Sequence, residues 1–272
     1  MINDYEFQGA VAFLDILGFG ARTARVALSE ARDTVVGPLL KAVMDAQTIV
    51  LRDLLRIPHS PRLEFHYFAD SLVLYLPCVP GTVLSTPSRV LDSMVYSCSL
   101  VLASGIWLNL PLRGAIAYGD CLVCRDPMYF IGQPFLEAHR LERSQNWAGA
   151  ALCESAATHL RDDECVRVVE WPVPLKTGHV SMLAVNWPRQ SIGPFLREIG
   201  TDGQVWPGPT PNWDSCFPVG AEESVAVKRK NTEEFFAAQN PLGPLGPAFG
   251  PEQRDLVKYW KEMYFSSRLS SE

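Results

Sequence analysis

The sequence predicts an α/β chain of the α+β kind, in which apolar strands alternate with helices that cover them, and three observations carry that expectation. Val11-Ala12-Phe13-Leu14 is an unbroken apolar run closed by one carboxylate, Asp15, and followed by the turn-forming Leu17-Gly18-Phe19-Gly20. Such a run reads as a strand buried on both faces. Two further apolar runs meet at Ala69-Asp70-Ser71, which reads as a β-hairpin from Leu63 to Pro77 with Asp70 at its tip. Leu39, Val43, Ala46, Val50 and Leu54 recur at helical spacing after Gly37-Pro38, and Val90, Leu91, Met94, Val95, Cys98, Val101 and Leu102 do so after Ser85-Thr86-Pro87. Each set makes one apolar stripe suited to covering a sheet.

The remaining elements follow in order. Ala21 to Asp33 is alanine-rich and reads as a short helix and a turn, and Pro58 with Ser60-Pro61 ends the helix that follows. Leu112 to Asp120 reads as a strand entering a Gly-Asp turn, Tyr129 to Gly132 as a short strand, and Gln133 to Arg143 as a helix. Ala150 to Cys153, Val166 to Trp171 and Met182 to Trp187 read as later strands, with Lys176 between the last two. From Ile192 onward Pro/Gly loops dominate, with short helical patterns near Asn231 to Ala238 and Glu252 to Phe265. The division this suggests is a catalytic domain over 1–190 and a C-terminal extension of loops and short helices over 191–272.

Composition bounds the function. At 272 residues and 47% hydrophobic content the chain can bury a full core. A net charge of −6 argues against a duplex nucleic-acid partner, which would need a basic face. Seven cysteines spread over this length make no disulfide framework, and Cys121/Cys124 lack the second pair that a zinc site needs. They read as strand and turn cysteines in a cytoplasmic protein. No apolar run is read as reaching the roughly 20 residues of a membrane span.

The carboxylates carry the chemistry. A charge at the end of a buried strand needs a metal or a cation beside it. Gly18 and Gly20 let the following backbone turn closely, so that its N–H groups can face an anion. An aspartate capping the next helix has the same local signature. A second strand-end carboxylate, Asp70, makes the pair that two-metal phosphoryl transfer requires. Period-two alternation puts Glu64, His66, Phe68 and Asp70 on one face of the hairpin's first arm.

Phe13-x-Asp15-Ile16-x-Gly18-Phe19, the hairpin Asp70, Arg113-Gly114, and Ile131-Gly132 followed by a helix with Ala138-x-Arg140 together resemble the class III nucleotide cyclases. Within that group FLDILGF, FADS, RGAIAYGD and GQPFLEAHRLE resemble the pyrimidine nucleotide cyclases of the Pycsar antiphage systems, over roughly residues 8 to 190. The resemblance implies a ferredoxin-like βαββαβ core, sheet on one side and helices on the other, acting as a head-to-tail homodimer with composite sites. It implies two divalent cations, Mn²⁺ or Mg²⁺, held by Asp15, Asp70 and the carbonyl of Ile16, a triphosphate loop at Leu17, Gly18 and Phe19, and a transition-state arginine, Arg140, supplied by the second protomer. Where purine cyclases carry a base-reading lysine and aspartate, the resemblance places His66 and Tyr129, and where they carry an assisting asparagine it places Leu136. Bulky aromatics at the first two places suit a one-ring base, and neutral donors facing a carbonyl favour UTP over CTP. The resemblance thus implies a cytoplasmic uridylate cyclase, a lyase making 3′,5′-cyclic UMP for antiviral defence through a separate effector. The alternatives are a cytidylate cyclase making cyclic CMP and a catalytically degenerate dimeric nucleotide sensor.

Overall fold

The long strand β1 (Asp4–Ile16) forms where the apolar run lies, and its Ala10, Val11, Ala12 and Leu14 are wholly buried. This is a computed structural model that describes residues 4–24, 26–54, 63–160, 167–190, 211–217 and 223–239. Short helices α1 (Phe19–Thr23) and α2 (Leu28–Ala31) follow, and a π-helical turn (Arg32–Val36) runs into α3 (Gly37–Leu54). Then come β2 (Glu64–Phe68), β3 (Ser71–Pro77), α4 (Pro87–Trp107) and β4 (Leu112–Arg125). These strands lie in the order β2-β3-β1-β4 and every neighbouring pair is antiparallel. That is the ferredoxin-like βαββαβ arrangement expected from the sequence.

Differences from expectation have local causes. β4 does not turn at Gly119-Asp120 but continues to Arg125, because β1 pairs with it along its whole length, from Asp4↔Cys124 to Ile16↔Leu112. A short strand, β5 (Met128–Ile131), then folds back on β4, and α5 (Gln133–Ser144) follows. The sheet is extended by β6 (Gly149–Leu152), parallel to β4, and by the hairpin of β7 (Val168–Leu175) and β8 (Gly178–Val185). After α6 (Glu154–Ala157), α7 (Trp187–Gln190) and α8 (Trp213–Cys216) comes α9 (Glu223–Gln239), which starts earlier than its sequence pattern suggests. The pattern over Glu252 to Phe265 lies outside the described residues, as does Val166.

The sheet is covered on both faces, not on one. Ala10, Ala12, Leu14 and Ile16 of β1 and Leu72, Leu74 and Leu76 of β3 pack in one cluster with Leu39 and Val43 of α3 and Val90, Met94 and Val101 of α4. The opposite face splits in two: Ala115 and Ala117 meet Ala138 and Leu141 of α5, while Val11, Val73, Tyr75 and Val123 carry a cluster with Tyr5, Phe7, Phe130 and Phe135. α4 is in fact long and apolar enough, by length and composition, to cross a membrane. In this fold it is the central core helix, buried along most of its length, which is why its apolar stripe spreads around the helix. Cys121 and Cys124 are buried free thiols, as expected of strand cysteines.

Gly114 is required by the β1–β4 approach. A Cβ there would overlap the Leu14 side chain and lie 2.7 Å from the Phe13 carbonyl oxygen, which the ladder cannot move. We expect Gly114→Ala to destabilise the fold by about 1–3 kcal/mol. Equilibrium urea unfolding measures this, and an unchanged midpoint would refute the close-packing account.

Candidate active site at the end of the central strand

Backbone pairing alone assembles the two predicted carboxylates. Asp15 is the penultimate residue of β1, opposite Ser71 on one side and Arg113 on the other. Asp70 sits in the two-residue turn between Phe68 and Ser71, where Ala69 takes a left-handed φ of 55°. The Ile16 N–H donates to the Asp70 carbonyl at 3.0 Å, which ties the hairpin tip to the end of β1.

The cation that a buried strand-end charge requires is present in the chain itself. Arg113 is 8% exposed and forks among three acceptors. Its Nη2 donates to Asp15 Oδ2 at 3.3 Å, its Nε to Glu142 Oε1 at 2.6 Å, and its Nη1 to the Gln145 carbonyl at 3.1 Å. Gln145, fully buried, uses its amide to donate to the Gly114 carbonyl at 2.7 Å and accepts from the Trp147 indole at 2.6 Å. Burial and the neighbouring Glu142 push the Asp15 carboxyl up to about 7, with Asp70 adding to the rise, while Arg113 and Lys228 oppose it. Crowded carboxylates only partly neutralised by nearby cations make a site that a further cation relieves.

The donor set fits a hard divalent ion in part. Among the described residues Asp15 Oδ1 accepts no hydrogen bond, so Oδ1, Asp70 and the backbone at Ile16 are the oxygens that could hold one. No cluster of three or more His, Cys, Asp or Glu side chains that could bind a metal occurs among the described residues, so water and ligand oxygens would have to complete the shell.

The other predicted residues are placed unequally. Gly18 has φ 75° and precedes α1, whose first-turn N–H groups have no carbonyl one turn back to pair with. The Leu17 N–H, by contrast, donates to the Pro111 carbonyl at 2.9 Å, so of the three loop residues Gly18 and Phe19 keep the geometry for an anion. Arg140 is exposed on α5, and Leu136 on the same helix is half exposed. His66 faces the aromatic cluster, its Nε2 3.2 Å from the Tyr75 hydroxyl and its ring edge-on to Phe130.

Tyr129 does not join His66. Alternation along β5 puts Phe130 with Val123 on the aromatic face and turns Tyr129, paired with Cys124, to the other side.

Sequence reasoning gave no role to Arg113, Glu142 or Lys228. A signal was available for each. Arg113 alternates with Ala115 and Ala117 on a buried face, and Glu142 follows Ala138 by four residues on the buried stripe of α5. Lys228 precedes the buried Thr232 of α9 by four residues.

Because folding raises the Asp15 carboxyl from 3.8 to about 7, the folded chain binds more protons than the unfolded chain in that window. Stability therefore falls as pH rises from about 4 to about 7, by up to roughly 1.4 kcal/mol per pH unit. In chelator, Asp15→Asn should remove much of that slope and melt higher than the parent chain at pH 8. Thermal melts across pH test this, and an identical slope in both proteins would contradict it.

Neither a protein-family model nor a curated protein matches the chain. Solved structures similar to it include the catalytic core of a rhodopsin-guanylyl cyclase with converted specificity in complex with ATPalphaS, at 14% identity and TM-score 0.48, covering 67% of this chain and 98% of that one. The adenylyl cyclase CyaB from P. aeruginosa is similar at 15% identity and TM-score 0.45, covering 68% and 96%. The guanylate cyclase domain of RhGC from Catenaria anguillulae, in complex with GTP, is similar at 11% identity and TM-score 0.45, covering 66% and 97%. At such identity and overlap, the roles of individual residues rest on the geometry of the site.

Proposed function

We propose that the chain is a nucleotide cyclase of the class III type that closes a pyrimidine nucleoside triphosphate, UTP, to 3′,5′-cyclic UMP and pyrophosphate. The observation that carries this reading is the meeting of Asp15 and Asp70 at the end of the central strand, directly before the left-handed Gly18. Asp15, Asp70 and the Ile16 carbonyl would hold divalent cations, Mn²⁺ or Mg²⁺, which would supply charge neutralisation for the triphosphate and acidify the ribose 3′-hydroxyl. Gly18 and Phe19 offer backbone N–H groups to the phosphates. Arg113, tied to Glu142 and the Gln145 carbonyl, holds Asp15 in place and touches no substrate. The exposed Arg140 reaches the α-phosphate of a second copy, where a guanidinium stabilises the charge that develops in transfer. A homodimer with composite sites follows from that assignment.

The choice of uracil rests on His66. Burial lowers its pKa, so the ring is neutral near pH 7. The Tyr75 hydroxyl lies 3.2 Å from the His66 Nε2, and when it gives its proton to that nitrogen the imidazole carries its own proton on Nδ1. In that tautomer Nδ1–H is a donor, matched to a uracil carbonyl and mismatched to the cytosine amino group. Tyr129 has no part in this recognition. The cyclic product then serves as an antiphage signal to a separately encoded effector, which the motif resemblance alone supports.

A second reading has its own observation: Arg113 already engages Asp15, as it would in a catalytically silent nucleotide sensor. Incubation with Mn²⁺ and an equimolar mixture of UTP, CTP, ATP and GTP, read by mass spectrometry, separates the two. We expect mainly cyclic UMP. Predominant cyclic CMP would overturn the base assignment, and nucleotide binding without any pyrophosphate would favour the sensor. Asp15→Ala and Asp70→Ala should each abolish product while the protein stays folded, and Arg140→Ala should lower kcat at least a hundredfold with little change in KM.

A further inference from the structure

The glycine loop that follows Asp15 has a cation of its own. Arg22 comes four residues after Gly18, and its N–H donates to the Gly18 carbonyl at 3.1 Å, which closes the two residues into one helical turn. Side chains on a helix lean towards its start, and this one runs back over that turn. Its Nε lies 4.0 Å from the point where a Cβ on Gly18 would stand. Because Gly18 carries no side chain, the left-handed loop is open towards the guanidinium.

The other end of the guanidinium is fixed by a segment far along the chain. Its Nη2 donates to the Cys216 carbonyl at 2.9 Å and lies 3.4 Å from the Ser215 carbonyl, at the end of α8. That anchor is itself held, since Cys216 is buried with its thiol donating to the Ile106 carbonyl at 3.4 Å, and the Asn212 side chain accepts the Ser215 N–H at 3.1 Å. Among the described residues the Nε–H and Nη1–H groups of Arg22 have no acceptor, and no carboxylate pairs with it. The other described arginines that are buried or half-buried each have one: Arg113 has Asp15 and Glu142, Arg167 has Asp92, and Arg229 has Asp214 and Glu233. Carbonyls can bond a guanidinium but cannot neutralise it, so the half-buried Arg22 keeps an uncompensated charge beside the loop.

We propose that Arg22 is a phosphate-binding residue of the strand-end site: its unengaged N–H groups take the terminal phosphates of a bound nucleoside triphosphate, while the carbonyls of Ser215 and Cys216 hold it in position. A guanidinium can do both at once because its five donors point in fixed, separate directions. The inference rests on the nucleotide reading of the strand-end site but not on cyclisation. It is tested by titrating inorganic tripolyphosphate with Mn²⁺ into the full chain by calorimetry, for the parent, Arg22→Met, Arg22→Lys and the surface control Lys230→Met, with thermal melts to show that each variant is folded. Because Arg22 also pins α8, the parent chain supplies a second readout, the NMR signal of the Arg22 Nε–H during titration of tripolyphosphate with Mg²⁺.

Arg22→Met should weaken tripolyphosphate about tenfold or more, as loss of a charge-assisted hydrogen bond does. Arg22→Lys, which keeps the charge but not the fork, should lose less, and Lys230→Met should match the parent. The Nε–H signal of the parent should shift as the site fills. In turnover Arg22→Met should raise KM for the triphosphate more than it lowers kcat. Equal tripolyphosphate affinity in a folded Arg22→Met, an Nε–H signal that stays in place at saturation, or loss of equal size in Lys230→Met would overturn the assignment and leave cyclisation untouched. A parent chain that binds tripolyphosphate through Arg22 yet forms no cyclic product would overturn cyclisation and leave the phosphate role of Arg22 standing.

Discussion

The buried guanidinium of Arg113 is the interaction on which the rest of this molecule depends. It joins β1 through Asp15, α5 through Glu142 and the loop to β6 through the Gln145 carbonyl, and it does so at 8% exposure. A charge buried this deeply persists only when its donors are matched, because removing one partner strands the others in a low-dielectric interior. Arginine can serve three elements at once because its donors are fixed in a planar fork. Gln145 carries the arrangement on to Gly114 and Trp147, so the strand end, α5 and the tryptophan against which α9 packs form one connected polar and aromatic unit.

That unit leaves the strand end overcharged with carboxylate. Asp15 stands near both Glu142 and Asp70, and its protonation is displaced towards neutrality. A fold selected for stability alone would have little use for such crowding. Strain of this electrostatic kind gathers at sites built to receive a ligand, where the missing positive charge arrives with the substrate or its ions. The hairpin tip shares the pattern in its backbone, with Ala69 held in a left-handed conformation so that Asp70 reaches the end of β1.

The two halves of the outer sheet face divide the work. Near Asp15 the face is covered by α5, which leaves Arg140 exposed. Towards β2 it carries an aromatic cluster in which His66, Tyr75 and Phe130 meet, with Tyr75 buried beneath the imidazole. The buried Tyr75 hydroxyl lies 3.2 Å from the His66 Nε2, so the hydrogen bonding of the imidazole is coupled to a group one layer below it.

The sequence by itself determined the strands, the hairpin and the pair of aspartates, because period-two and helical spacing, a closing carboxylate and turn residues are local properties of the chain. It also determined His66's face, since parity is counted within one strand. Tertiary structure alone decided which cation meets Asp15, because Arg113 is 98 residues away and Glu142 a further 29, and only the β1–β4 ladder and the docking of α5 unite them. It decided that Phe130 and not Tyr129 faces His66, since the pairing of β5 with β4 fixes which alternate residues look outward. Tertiary structure also set the rotation of α9, because Phe235 packs among Trp147 and Trp171, residues that no local pattern connects to it.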